Sequence, residues 1–243
     1  MGNQPDATVA GRADTIYNFI RHDILAGELL PGQRLDHRVL HRRFNVGTPL
    51  IREILQRLSA EKLVTHLPSK GYFVPPVNQT QLRDYYRWLR VILYEAIEKS
   101  VLDDGAKDEI VMPGLAEMPP VLNQQIAHQD HARICTNFAE ALFLQIASAL
   151  RSDVGIKLAQ DLIDRTHLFR RLALEDSGYV TVEFTDLLAL REAFLSREAA
   201  AAGFVLDRLL NRTQDRIPDL VMSVKEMCLE KGIVGFVQSS VGS

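Results

Sequence analysis

Residues 27–74 read GELLPGQRLDHRVLHRRFNVGTPLIREILQRLSAEKLVTHLPSKGYFV, and this run decides the fold. Pro31-Gly32 makes a turn. Asp36 is placed to cap a short helix through Phe44, because its carboxylate can accept from the first unbonded backbone amides. Asn45-Val46-Gly47 supplies a tight turn. Thr48 can cap a second helix, with Pro49 pre-set for its first position. Ile51, Ile54, Leu55 and Leu58 give that helix one apolar face. Residues 63–67 and 72–74 then read as two short strands joined by Pro68-Ser69-Lys70-Gly71. Turn, helix, turn, helix, strand, turn, strand is the grammar of a winged helix-turn-helix, whose second helix fits the DNA major groove.

The charges along this run suit that partner. A helix beginning at Thr48 offers Thr48, Leu50 and Ile51 at its tip and Arg52 one turn in, where a guanidinium reaches a guanine edge or a phosphate. The preceding helix carries Arg38, His41, Arg42 and Arg43, a cluster fitted to the DNA backbone. Lys70 and Gly71 stand at the wing tip, where glycine allows close approach and lysine meets the negative potential of the minor groove. Residues 1–77 hold ten Lys/Arg against seven Asp/Glu, a net of +3, whereas residues 78–243 hold eighteen against twenty-four, a net of −6. A small basic segment on a larger acidic one agrees with phosphate binding at one end.

Working outward, residues 12–26 place Ile16, Phe19, Ile20 and Ile24 at helical spacing, with Gly27 as a stop. The residues before them look disordered. Pro75-Pro76 stiffens the exit and sets a domain boundary near Asn78. Everything after it reads as helix: 79–101, ended by Asp103-Asp104-Gly105, then 124–150, 154–175, 181–195, 196–211 and a last piece opened by Pro218. Residues 108–123 are irregular, and a Gly/Ser-rich tail begins near Gly232. The expected fold is mainly α: a winged helix-turn-helix over 12–77 with a small β wing, an all-helical bundle over 78–232, and a flexible tail over 233–243.

With 243 residues and 47% apolar content there is enough material for two cores. No run reaches the roughly 18 consecutive apolar residues of a membrane span. The first fourteen residues lack the apolar core of a signal peptide. Cys135 and Cys228 fit no disulfide framework or metal spacing, which suits free thiols in a reducing cytoplasm. Residues 78–243 show no nucleophile–base grouping and no phosphate loop, so no enzyme chemistry and no cofactor is implied. An architectural or interaction protein that binds DNA without a ligand stays open as an alternative, and behind it an enzyme localised by its DNA-binding domain.

Several of these runs resemble one family. Residues 27–35, GELLPGQRL, resemble the entry segment of the GntR family of bacterial repressors. Residues 46–58, VGTPLIREILQRL, look like its recognition segment, and Leu63-Val64 with residues 70–74, KGYFV, look like its wing. The resemblance implies DNA contact at Arg38, Arg52, Lys70 and Gly71. Where the family usually has Ser-Arg-Thr-Pro this chain has Gly47-Thr48-Pro49-Leu50, so Thr48 takes the place of a base-reading arginine and an altered operator is implied. The helical remainder resembles the effector domain of the fatty-acid-regulator branch, which implies a cytoplasmic homodimer on a palindromic operator and a small-molecule effector such as an organic acid. Many such domains hold a divalent metal with one Asp and three His. With the phenylalanine of that motif on Phe143, the register puts Glu140 at the Asp position and Leu144, Leu187 and Leu209 at the His positions. No metal is therefore expected there; His128 and His131, three residues apart on one helix, are the weak alternative. The polar residues placed to line an effector pocket are Arg87, Arg90, Tyr94, Glu140, His167 and Arg170.

Overall fold

The computed structural model describes residues 7–102 and 128–233. It divides the chain into two compact units: Met1–Val77 together with Met222–Ser243, and Asn78–Val221. The expected break near Asn78 coincides with the first division. The segment from Met222 onward groups with the first unit and not with the helices before it. The expectations for the extreme N-terminus, for Asp103-Asp104-Gly105, for residues 108–123, for the side chain of His128 and for the tail beyond residue 233 lie outside the described residues.

The first unit comprises α1 (Ala7–Leu25), β1 (Arg34–Leu35), α2 (His37–Phe44), α3 (Thr48–Ala60), β2 (Thr65–Leu67) and β3 (Gly71–Phe73). Ile16, Tyr17, Ile20 and Ile24 of α1 pack with Ile51, Ile54, Leu55 and Leu58 of α3 into one buried cluster. Phe19, expected in that core, is 44% exposed and Tyr17 replaces it. Phe19 instead meets Phe44 edge-on with ring centroids 5.5 Å apart, under the Arg43 guanidinium.

α2 starts as expected. The Asp36 carboxylate accepts from the Arg38 amide at 2.7 Å, and the helix ends on Asn45 in the left-handed region, φ 48°. α3 differs in detail. Gly47, not Thr48, is its N-cap, and no side chain caps it; Thr48 is already helical. The sheet has three antiparallel strands in the order β1-β3-β2. β1 is two residues long, too short for alternation to register in the sequence. Leu63 and Val64, expected at the start of a strand, are buried in the core cluster instead. At the wing tip the Lys70 amide bonds the Leu67 carbonyl at 3.0 Å, and Gly71 takes φ 100°, a conformation side chains resist.

The second unit is built from α4 (Gln79–Leu102), α5 (His128–Ser148), α6 (Asp153–Leu174), α7 (Ser177–Leu195) and α8 (Ala199–Asp215), with α9 (Ile217–Glu230) beginning here and ending in the first unit. α4 buries Leu82, Tyr86, Leu89, Leu93 and Ile97 along one stripe and packs on α5, α6 and α8. α5 lies on α6 and α7, and α7 lies on α8. Ser152 caps α6, and Asp176 caps α7 four residues earlier than the periodicity predicts. α8 starts later than expected because Arg197 turns left-handed, φ 58°, and it continues to Asp215. Gly203 lets α8 approach α4 closely: a Cβ there would stand 2.8 Å from the Tyr94 ring.

Among the described residues no helix is long and apolar enough to cross a membrane. Both cysteines are buried and unpaired. The Cys228 thiol, in the segment that joins the first unit, donates to the Pro31 carbonyl at 3.3 Å.

Candidate nucleic-acid interface and the interior of the helical unit

α3 buries Ile51, Ile54, Leu55 and Leu58, and this fixes which side chains face solvent. Pro49, Arg52, Glu53 and Gln56 are exposed along the opposite face, with Thr48 half-buried at the tip. Arg38 and Arg42 on α2 and Lys70 on the wing are also exposed. Arg38, Arg42, Arg52 and Lys70 have no side-chain hydrogen bond or ion pair among the described residues. Gly71 is half-buried beside the Arg34 guanidinium, 3.8 Å from where a Cβ would be.

The other two members of the α2 cluster serve the fold. Arg43 pairs with buried Asp23 at 3.1 Å and lies 4.7 Å over the Phe19 ring and 5.4 Å over Phe44. His41 Nδ1 bonds the Val46 carbonyl, closing the turn between α2 and α3. Arg12 donates to the Phe44 and Asn45 carbonyls at 3.2 and 3.1 Å, closing α2 from below. Arg57 is likewise structural. It bonds Asp14 at 2.6 Å and covers the Tyr17 ring at 3.7 Å, while the Tyr17 hydroxyl donates to Glu61 at 2.5 Å. Gln56 was not singled out from the sequence. It stands four residues after Arg52, one turn along the same face, and its amide matches an adenine edge. That spacing was the available signal.

In the helical unit the six residues expected around a pocket separate into three places. Arg87 is exposed and pairs with Asp84 at 3.0 Å, a surface contact on one helix. Arg90 donates to Asn211 at 2.5 Å, and Tyr94 donates to the Gly203 carbonyl at 3.0 Å and to Asp207 at 2.7 Å; both tie α4 to α8. Glu140, His167 and Arg170 come together. Arg170 donates to Glu140 at 2.5 Å and to the Thr166 hydroxyl at 2.6 Å, and His167 Nδ1 donates to Glu140 at 2.8 Å.

A second polar group nearby went unnoticed in the sequence. Glu183 and Asp186 on α7 are buried, and Arg212 on α8 reaches both, at 3.1 and 2.5 Å. Arg208 grips Asp186 with two nitrogens. Burial pushes the Glu183 carboxyl up to about 7, against the pull of Arg212 and a hydrogen bond from Tyr179. Burial also pushes the Cys135 thiol up to about 11, so it is no nucleophile near neutral pH. Only the i, i+3 spacing of the two acids hints at this group, and such a pair ordinarily reads as a solvated face.

The donor set does not fit a three-histidine metal site. Glu140 is held by Arg170 and His167, while Leu187 and Leu209 are buried hydrocarbon at two of the positions where the resemblance implies ligands. Among the described residues no three of His, Cys, Asp or Glu converge as ligands.

Residues 12–74 match the family described as bacterial regulatory proteins, gntR family. Over 198 residues, 80% of each chain, the sequence is 25% identical to the HTH-type transcriptional regulator BphR of Paraburkholderia xenovorans (strain LB400). Over 70 residues it is 34% identical to the HTH-type transcriptional repressor GlaR of Escherichia coli (strain K12), 29% of this chain and 32% of that one. The fold is similar to E. coli McbR/YncC at 18% identity, with a TM-score of 0.65 over 87% of this chain and 98% of that one. It is also similar to a GntR structure from Rhodococcus sp. RHA1 at 18% identity, with a TM-score of 0.63 over 86% and 98%.

Proposed function

We propose that this chain, a DNA-binding transcriptional regulator with a GntR-type reading domain, acts as a ligand-responsive repressor that binds a palindromic operator as a homodimer. One observation carries the reading. The cations on the outer face of α2, α3 and the wing are exposed and unpaired, while Arg43 and Arg57 in the same unit are held by carboxylates. Unpaired cations on a grooved surface are what phosphate and base edges need, since binding there displaces only water and counterions. Arg52, Thr48 and Gln56 read bases in the major groove, Arg38 and Arg42 hold the backbone, and Lys70-Gly71 enters the flanking minor groove.

The helical unit is the control element, assigned to the effector domain of the fatty-acid-regulator branch, and the cytoplasm is its place of action. Trp88 and Val91, three residues apart on α4, are 55% and 51% exposed and supply apolar surface of the kind a second copy covers. A dimer puts two copies of α3 one DNA turn or a multiple apart, and an effector that prefers one spacing shifts occupancy by that difference in affinity.

Footprinting the full chain on the DNA upstream of its own gene, over a salt series, tests this. The expected result is two protected half-sites in register with the helical repeat and affinity that falls steeply with salt. Binding that is sequence-blind or independent of salt refutes it.

A further inference from the structure

α4 packs into its unit through Leu82, Tyr86, Leu89, Leu93 and Ile97, and this fixes what its opposite side carries. There Arg87, Trp88, Val91 and Glu95 stand on successive turns, all exposed. Trp88 is 55% exposed and Val91 51%, and no helix of the same unit covers them. The surface continues beyond α4. α8 runs antiparallel beside it, with Arg90 bonded to Asn211 and Tyr94 to the Gly203 carbonyl. On antiparallel neighbours the residue that follows a contact turns to the same side of both helices. Val91, after Arg90, and Phe204, after Gly203, therefore share one face, and Phe204 is 67% exposed. A large apolar group left in water on two adjoining helices marks a place where a protein docks.

The charges say what covers it. Arg87 lies four residues before Val91, and Glu95 four residues after it. Eight residues of helix set the two charges about 12 Å apart, too far to pair within one chain. Glu95 has no side-chain hydrogen bond or ion pair among the described residues. Arg87 meets Asp84 at 3.0 Å and lies 6.0 Å over the Trp88 ring, exposed contacts that hold it weakly. A stripe that runs cation, apolar centre, anion is complementary to its own reverse. Turned about a two-fold axis at Val91, it sets Arg87 of each copy against Glu95 of the other, and Val91 against Val91 beside the two Trp88 rings. A parallel crossing would set arginine on arginine and glutamate on glutamate. A nucleic acid would be repelled by Glu95, and a purely apolar partner would leave both charges unmatched. One helix crossing buries less than the roughly 1,200 Å² a stable interface needs, and Phe204 on α8 widens the contact.

We propose that a second copy of this chain docks on this face, α4 crossing α4 antiparallel with the two-fold axis at Val91. Trp88, Val91 and Phe204 supply the apolar contact, and two symmetric Arg87–Glu95 pairs set its register. This rests on the homodimer reading above and names the surface that makes the dimer.

The test is sedimentation of the full chain beside Arg87→Glu, Glu95→Arg and the two changes together. The unaltered chain is expected to be a dimer in the micromolar range. Each single reversal makes two like-charge contacts per dimer and is expected to raise the dissociation constant at least about tenfold. The double reversal is expected to return it to near that of the unaltered chain. Such recovery can arise only between copies, because the two side chains cannot reach each other within one. A second measurement uses Val91→Cys, with Val182→Cys as control, 49% exposed on α7. The native cysteines are buried, so mild oxidation is expected to link Val91→Cys into a covalent dimer and to leave Val182→Cys unlinked. All these positions are exposed, and melting temperatures are expected to hold. The proposal is overturned if the unaltered chain is a monomer, if single reversals leave the dimer intact, if the double reversal recovers nothing, or if Val91→Cys links no faster than the control. Footprints of the same samples separate the two readings. A dimer that survives the reversals and protects two half-sites leaves the homodimeric regulator standing on another surface, whereas a monomer that protects no operator removes both.

Discussion

Arginine is used in opposite ways on the reading face of the first unit and in the interior of the helical unit. On the reading surface Arg38, Arg42 and Arg52 are exposed and unpaired. In the helical unit Arg90, Arg170, Arg208 and Arg212 each close on a carboxylate, and Arg216 reaches both the Ala173 carbonyl and Asp176. The difference follows from solvent. An exposed guanidinium keeps its hydration until a phosphate displaces it, so it can wait without a partner. Arg170, the one of these that is buried, cannot, because an uncompensated interior charge costs several kcal/mol. A cation with no protein partner is therefore a mark of binding on the surface, and a cation with two partners is a mark of structure inside.

The sharpest way to break this contrast is to remove an interior cation. Arg170→Met leaves the Glu140 carboxylate without its guanidinium in a half-dry site, and we expect a loss of about 3–5 kcal/mol in urea unfolding. Adding Glu140→Leu should recover much of that loss, since both charges are then gone; no recovery would mean the pair is not the unit of stability.

Next comes an exposed cation. Arg52→Ala should weaken operator binding by about 1–3 kcal/mol, roughly ten- to a hundredfold, with an unaltered melting temperature. A fall in melting temperature would place Arg52 among the structural arginines, and equal weakening on unrelated DNA would make it a phosphate contact.

The smallest effect concerns pH. Burial raises Glu183 to about 7, so the folded chain keeps a proton that the unfolded chain has already released. Its contribution is full at low pH, below the ordinary carboxylate range, and is lost as pH rises through about 7. Between about pH 5.5 and pH 8 we expect a decline on the order of 1–3 kcal/mol in unfolding free energy, flattened by Glu183→Gln. A Gln variant with the same slope would assign the decline to other groups.

The reading unit was largely legible in the sequence because its elements are fixed by local chemistry. Asp36 as a cap, Pro49 in a first turn and the apolar face of α3 need no distant partner. What escaped was non-local. β1 exists only because β3 pairs with it, and Phe19 leaves the core because Phe44 and Arg43 offer it a surface berth. Pocket residues in the helical unit were harder still. Arg87, Arg90 and Arg170 look alike in the sequence, yet one is surface, one ties α4 to α8, and one is buried against Glu140. Which of the three a helix arginine becomes depends on the facing helix, and helix periodicity does not encode the facing helix. Glu183 and Asp186 were missed for the same reason.

The bond from Cys228 to the Pro31 carbonyl belongs to a unit made from two stretches of chain separated by the whole helical bundle. On the ribosome the first of those stretches is made before the bundle, and the second emerges only after it. The reading unit therefore acquires its second stretch only after Asn78–Val221 has been made. A nascent chain that has reached only the helical bundle carries α2, α3 and the wing without the turn of helix whose Cys228 thiol bonds the Pro31 carbonyl.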